Sequence, residues 1–338
     1  MRSKIGAGLV AVLATVVFSW GLTPQPAAAA KERKIILDWI YGGKHAPFFV
    51  ARDKGFWKKA GVNVKILQGR GSGKAAAWID TKKVDYSYGD FATMLKVVQK
   101  GGNNLAVGAV HVYQTGCYMS FASTGIKKPK DLEGKRYGGP PADFGRTLMP
   151  AMAGAMGFDM KKVIFKTMKP AVRTPALFKN KIDFISGTRG SSCPRMRIHA
   201  ERKGRKISFL YFKDMGLESY GHVIQIHRDR LKNNSKEIQA VVGGLFDAFA
   251  WTIKNPKGGY NVYIKANPTK DKEISRVQIA EALEDVQDTE VMAKGLGYMK
   301  ESMVKKSVAT ANKYFKLSPP VDYTKTYTNR FIRPNPGL

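Results

Sequence analysis

The 338-residue sequence is poor in thiols, imidazoles and acids: two cysteines, five histidines, and 26 Asp and Glu against 57 Lys and Arg. Two thiols, Cys117 and Cys193, exclude a disulfide-rich scaffold, and spacing alone leaves their pairing open. No four Cys or His residues cluster at ligand spacing, so a structural zinc site is not expected. The nucleophile elbow Gly-x-Ser-x-Gly, the metalloprotease helix His-Glu-x-x-His and the phosphate loop Gly-x-x-x-x-Gly-Lys-Ser/Thr are all absent, which argues against those three chemistries. After the first 30 residues no apolar run is long enough to cross a bilayer.

The first 30 residues carry Arg2 and Lys4, an apolar run from Ile5 to Trp20, and Ala27 to Ala30 before the charged Lys31-Glu32-Arg33. This is the order of a secretory signal cleaved near Ala30 and predicts an exported protein. The shortage of acids leaves a net charge of +31. In a cytoplasmic chain that would suggest nucleic acid; export predicts no nucleic-acid partner. From Tyr118 to Asp214 there are 21 basic and 7 acidic residues, consistent with a solvated basic surface or with an anionic partner approaching that third of the chain. The run Arg195 to Lys206 is the candidate patch.

Apolar patterning predicts strands at Lys34–Ile40, Val62–Leu67, Leu105–Tyr113, Cys117–Ala122, Val163–Thr167, Ile182–Ser186, Ile207–Phe212 and Tyr220–Ile226. Helices are expected at Phe48–Ala60, at Phe144–Met156 with Asp143 as N-cap, and after Asn234 with Glu237 completing a capping box. Strands alternating with helices imply a mainly parallel sheet. Two segments 98 residues apart share one pattern: Lys83-Val84-Asp85-Tyr86-Ser87-Tyr88-Gly89 and Lys181-Ile182-Asp183-Phe184-Ile185-Ser186-Gly187. They suggest two similar α/β lobes. Glycine loops at 69–73 and 138–143 each precede a helix start, where free backbone N–H groups are available to a ligand.

The chemistry-bearing block is Leu37 to Trp57. Its strand end presents Asp38 and Trp39, and His45 follows a glycine turn just before Ala46-Pro47, a helix start. By itself the block also reads as core tryptophan, local cap and first-turn histidine. The remaining histidines, 111, 199, 222 and 227, read as packing or surface residues.

These residues carry a resemblance. Leu37-Asp38-Trp39, His45-Ala46-Pro47-Phe48-Phe49-Val50-Ala51, Lys54-Gly55-Phe56-Trp57 and Ala60-Gly61-Val62-Asn63-Val64 resemble the opening of the NMT1/THI5-like substrate-binding proteins of ABC importers. The likeness continues through Val84–Gly89, Asp131-Leu132-Glu133-Gly134-Lys135, Lys181–Gly187 and the Tyr220 strand. It implies a type II periplasmic binding protein fold, two α/β lobes with a ligand cleft between them. The expected bounds are 31–116 with 217–338 for one lobe and 117–216 for the other.

The resemblance further implies a non-enzymatic, monomeric receptor without cofactor or metal, serving a permease and its ATPase. Its expected ligand is a pyrimidine-type or other nitrogen heterocycle. By position, cleft roles fall to Asp38, Trp39, His45, Ser72, Tyr88, Asp90, Tyr118, Asp143, Thr188, Arg189 and Glu218. Where the pyrimidine branch has Asn-Pro after Asp-Trp, this chain has Ile40-Tyr41-Gly42-Gly43, so the ligand itself stays open. The alternatives are a small-anion receptor using Arg70, Arg146 and Arg189, or an exported enzyme with Asp38 and His45 as acid and base. A related eukaryotic group makes the pyrimidine with a cysteine-rich motif that this chain lacks.

Overall fold

The structure, a computed structural model, describes residues 31–334; the export-signal reading concerns residues outside that range. Among the described residues no helix is long and apolar enough to cross a membrane. Within 31–334 ten short strands run in chain order as β1 (Glu32–Ile36), β2 (Asn63–Leu67), β3 (Tyr86–Asp90), β4 (Asn104–Ala109), β5 (Gly116–Phe121), β6 (Arg136–Gly139), β7 (Ile164–Thr167), β8 (Phe184–Thr188), β9 (Ile207–Tyr211) and β10 (His222–His227). They form two five-stranded sheets ordered β2-β1-β3-β10-β4 and β7-β6-β8-β5-β9.

The two sheets share one plan. In the first, β1 runs parallel to β2 and β3, while β10 is antiparallel to β3 and β4. In the second, β6 runs parallel to β7 and β8, while β5 is antiparallel to β8 and β9. The expectation of mainly parallel sheets is therefore corrected: half of the pairings are antiparallel. Each sheet receives one strand, β10 or β5, from a chain that has just left the other sheet, and that strand enters reversed.

The repeated segments lead into equivalent strands, β3 and β8. Asp85 accepts the Lys34 backbone N–H at 2.8 Å, and Asp183 accepts that of Arg136 at 2.7 Å. Each aspartate thus ties its strand to the central parallel neighbour, β1 or β6, and each also meets an arginine, Arg33 or Arg136.

Strand β1 ends at Ile36, short of the expected Ile40, because the chain there pairs with the glycine loop. Leu37 N–H bonds Leu67 O, Gly69 N–H bonds Trp39 O, and Gly71 N–H bonds Asp38 O at 2.7 Å. The expected helix 48–60 is split into Ala46–Asp53 and Phe56–Lys59 at Gly55, whose φ of 78° breaks the helical run. Helix Phe144–Met156 lies where expected, yet Asp143 makes no side-chain cap. Neither does Asn234, and Glu237 pairs with Arg33 and Arg230 instead of closing a box.

The first core packs Ile35, Leu37, Phe48, Tyr88, Val242 and Phe249 between sheet and helices. Trp57, 1% exposed, adds about 2–3 kcal/mol of burial and donates its indole N–H to Val241 O at 2.9 Å. The second core gathers Tyr118, Tyr137, Leu148, Phe184 and Phe212. Behind it Met119 and Met196 pack beside the Cys117–Cys193 disulfide.

Candidate functional site

The C-terminal end of β1 delivers Asp38 into a buried polar cluster. Its Oδ2 accepts from Lys44 Nζ at 2.6 Å and from His222 Nε2 at 2.9 Å, and its Oδ1 accepts from His45 Nε2 at 2.9 Å. His45 Nδ1 accepts the Gly42 backbone N–H at 3.1 Å, which assigns the ring proton to Nε2. Burial would raise the Asp38 carboxyl, but Lys44 and His222 hold it well below the ordinary carboxylate range. Burial lowers Lys44 against the pull of Asp38. It pushes His45 down to about 4 and lowers His222 and His111 as well. Near neutral pH the imidazoles are therefore uncharged, His45 and His222 donate to Asp38 from Nε2, and the charge pair is Asp38 with Lys44. Tyr88 stacks on His222 with centroids 4.8 Å apart and meets His111 Nε2 through its hydroxyl at 3.2 Å.

The second sheet supplies the facing wall. Arg173, 3% exposed, lies in helix Pro170–Phe178 and places its guanidinium 4.9 Å from the Trp39 ring centroid. It donates to the Ser186 carbonyl and reaches Asp143 Oδ2 at 3.5 Å. Asp143 Oδ2 also accepts from Ser186 Oγ at 2.7 Å and from the Tyr137 hydroxyl. Asp143 Oδ1 and Arg173 Nε have no partner among the described residues.

The sheets meet through the two glycine loops. Gly73 N–H bonds Ala142 O at 3.3 Å. Gly71 has φ of 129°, and a Cβ there would come within 2.4 Å of that same oxygen. Helix Lys272–Glu284 clasps the far side: Gln278 Oε1 accepts Gly43 N–H at 2.7 Å, and its amide nitrogen donates to Ser191 O at 2.5 Å. Arg197 pairs with Glu281, and Arg202 with Asp271 and Glu273. What remains between the walls is a cavity of about 10 Å³, lined by residues that include Asp38, Trp39, Lys44, Ser72, Asp143, Arg173, Thr188, Ser191 and Ser192. That is room for about one water.

Of the residues expected at a cleft, Asp38, Trp39, Ser72, Asp143 and Thr188 line this cavity. His45 and Tyr88 stand one layer behind Asp38. The other four stand away from the cavity in this structure. Tyr118 is packed among Tyr137, Phe184 and Phe212 with its hydroxyl on Gly145 O, so it offers no ring face. Glu218 is an exposed partner of Lys306. Arg189 is engaged by Glu284 and Asp285. Asp90 caps helix Phe91–Gln99 through Thr93 N–H at 2.7 Å and takes Gln114 on its other oxygen. The basic run 195–206 is likewise not a free patch, since Arg197 and Arg202 face acids.

Four residues of the cluster receive no ligand-site role from sequence reasoning: Lys44, His111, His222 and Arg173. Lys44 adjoins His45, and that adjacency is the available signal. His222 stands opposite Asp90 in the β3–β10 ladder, a pairing that strand patterning does not reveal. Arg173 sits in a helix with proline at 170 and 175, and nothing local marks it.

The sequence model of the family described as NMT1/THI5 like matches residues 43–258. A 4-amino-5-hydroxymethyl-2-methylpyrimidine phosphate synthase of Uromyces fabae is 22% identical over 312 residues, 88% of this chain and 87% of that protein. The riboflavin-binding protein RibY of Chloroflexus aurantiacus is 22% identical over 325 residues, 91% and 88% of the two chains. Among solved structures, the alkanesulfonate-binding protein SsuA of Xanthomonas axonopodis pv. citri, bound to MOPS, superposes with a TM-score of 0.66 at 13% identity. The match covers 88% of this chain and 96% of that one. With two sheets of one plan, a buried polar seam between them and a family match over most of its length, the chain belongs to the NMT1/THI5-like family and has the periplasmic binding protein fold.

Proposed function

We propose that this chain is an exported solute receptor that captures a small ring-bearing ligand, a pyrimidine or other nitrogen heterocycle, and delivers it to the permease of an ABC importer. The observation that carries the reading is the seam itself. Asp38, Lys44 and Trp39 from the first sheet face Asp143, Arg173 and Thr188 from the second across one narrow cavity. Buried charge with convergent donors and acceptors marks a recognition site, since an unliganded core gains little from it. The lobes are taken as 31–116 with 217–338, and 117–216, hinged at the two crossings between sheets. Trp39 supplies the stacking face, and the remaining lone pair on Asp38 Oδ1 accepts a ring or exocyclic N–H. The cavity of about 10 Å³ holds no ring, so the ligand stabilises a closure of the lobes slightly wider than the present one, through contacts to both walls that the parted lobes do not provide.

A receptor is favoured over a catalyst by the state of the imidazoles and thiols. His45 and His222 are committed to Asp38, and the two cysteines are joined to each other, so among the described residues the cavity holds no unengaged imidazole or thiol. A thermal-shift screen of the mature protein against pyrimidines, flavins, sulfonates and inorganic anions at fixed salt tests the proposal. A specific ligand at a hundredfold excess over its dissociation constant adds about 2.7 kcal/mol. Trp39→Ala abolishes the shift. Stabilisation by sulfonates alone, with none from any heterocycle, overturns the ligand class, and turnover of a bound candidate overturns the receptor reading.

A further inference from the structure

We propose that the ligand carries an anionic group beside an N–H donor, the anion seated on Arg173 and the start of helix Ser192–Glu201, the donor on Asp143. The proposal rests on the receptor reading above and narrows its substrate class. Arg173 is always charged and almost entirely out of water, yet among the described residues its carboxylate contact is a 3.5 Å approach to Asp143. Its Nε has no partner there, and neither has Asp143 Oδ1. A buried donor and a buried acceptor left open in one cavity wall define the complement that would satisfy both.

Three further features of the same wall favour negative charge. Ser191 and Ser192, at the start of a ten-residue helix, line the cavity, and no side chain among the described residues caps that helix. Its free amides and dipole favour an anion. Thr188, a hydroxyl-bearing residue, lines the same cavity. Behind this wall Arg195 is lowered to about 10 by burial and by the like charge of Arg173, so two guanidiniums share the region.

The acids that face this point are accounted for. Asp38 is engaged by Lys44, His45 and His222. Asp143 is held by Tyr137 and Ser186 on Oδ2, which leaves Oδ1 to receive the ligand's N–H. The basic residues that the sequence offered for an anion are elsewhere. Arg146 stacks on Phe165, Arg189 pairs with Glu284 and Asp285, and Arg70 is exposed. Arg173 covers Trp39 in the present closed form, so a ring entering against Trp39 shifts the guanidinium toward the ring's own substituent.

Two matched ligand pairs test this by calorimetry on the mature protein: riboflavin against its 5′-phosphate, and 4-amino-5-hydroxymethyl-2-methylpyrimidine against its phosphate. In a pair that binds, the phosphorylated member binds at least tenfold tighter. Arg173→Met reduces that preference below threefold while Arg146→Met leaves it intact. The wild-type comparison needs no variant, so it decides the matter even where Arg173→Met fails to fold by circular dichroism. Equal or weaker binding of the phosphorylated member overturns the anionic assignment and leaves the heterocycle receptor standing. Binding of none of the four compounds overturns the heterocycle reading and this assignment with it.

Discussion

Asp38 and Lys44 form a 2.6 Å ion pair in which the two side chains are only 6% and 1% exposed. Removing one partner leaves the other charged and unpaired in a region of low dielectric. Asp38→Asn is therefore expected to lower unfolding free energy by about 3–5 kcal/mol, measured by urea denaturation at pH 7. The double variant Asp38→Asn, Lys44→Met removes both charges and recovers at least half of that loss. Additive losses in the double variant would show that the pair is not the source of the effect.

Acidification acts on the same cluster through its histidines. His45, His111 and His222 all have folded-state pKa values below the ordinary imidazole value, His45 near 4, because burial disfavours the charged ring. Below about pH 6.5 the unfolded chain binds protons that the folded chain refuses, so stability falls as pH falls. Three acids oppose this: burial raises Asp90 and Asp247, and raises Asp285 to about 6, so the folded chain binds protons there. The lowered imidazoles, His199 and His227 among them, outnumber the raised acids, so the net effect is a loss of stability as pH falls below about 6.5. The loss begins between pH 7 and 6, where Asp285 is largely ionised in both states. Urea midpoints from pH 7.5 to 4.5 read this directly, and His111→Gln flattens the slope. A midpoint that rises on acidification contradicts it.

Local patterning carries much of this architecture and little of the seam. Alternation and glycine stops locate most strands because each is short and, β7 and β9 apart, carries buried residues. The repeat around Asp85 and Asp183 is legible because both aspartates perform one local task, accepting the backbone N–H of the neighbouring strand. Asp38, Trp39 and His45 are legible as a block because a strand end and a helix start follow each other closely in the chain. Arg173 is not, since its role exists only where helix Pro170–Phe178 meets Trp39 across the two sheets. Glu218 and Arg189 show the converse: loop position alone does not bring a charge to this cavity, and here both meet surface or clasp partners.

Gly71 is where the two glycine loops come closest. Its φ of 129° and the 2.4 Å separation that an added Cβ would have from Ala142 O leave no room for a methyl group while the glycine loops touch. Gly71→Ala is expected to weaken ligand binding at least tenfold, because the sheets are held apart. Calorimetric affinity alongside circular dichroism of the unliganded protein checks this. An unchanged affinity in a folded variant would place the loops' contact outside the closing motion.

The disulfide ties β5 to helix Ser192–Glu201, whose first turn lines the cavity. It closes a span of 76 residues, so its loss is expected to cost about 2–4 kcal/mol, chiefly by freeing the unfolded chain. Cys117→Ala, Cys193→Ala then melts lower than the oxidised protein. Reduction of wild type with a thiol should lower the midpoint to a similar degree, and reduction without effect would mean that the bridge adds nothing to stability.

The clasp along helix Lys272–Glu284 sets how readily the unliganded sheets part. Arg189, Arg197 and Arg202 meet Asp271, Glu273, Glu281, Glu284 and Asp285, and apart from Asp285 these groups are at least partly exposed. Exposed pairs contribute about 0–1 kcal/mol each and weaken with salt. The uncharged bonds of Gln278, by contrast, are buried and little screened. Raising salt from about 50 mM to about 0.5 M should therefore increase the radius of gyration of the ligand-free protein in small-angle scattering. Glu281→Gln with Glu284→Gln should reproduce the change at low salt, while Gln278→Ala should open the protein at every salt concentration. A radius that ignores both salt and the paired glutamines would assign closure to Gln278 and the glycine loops alone.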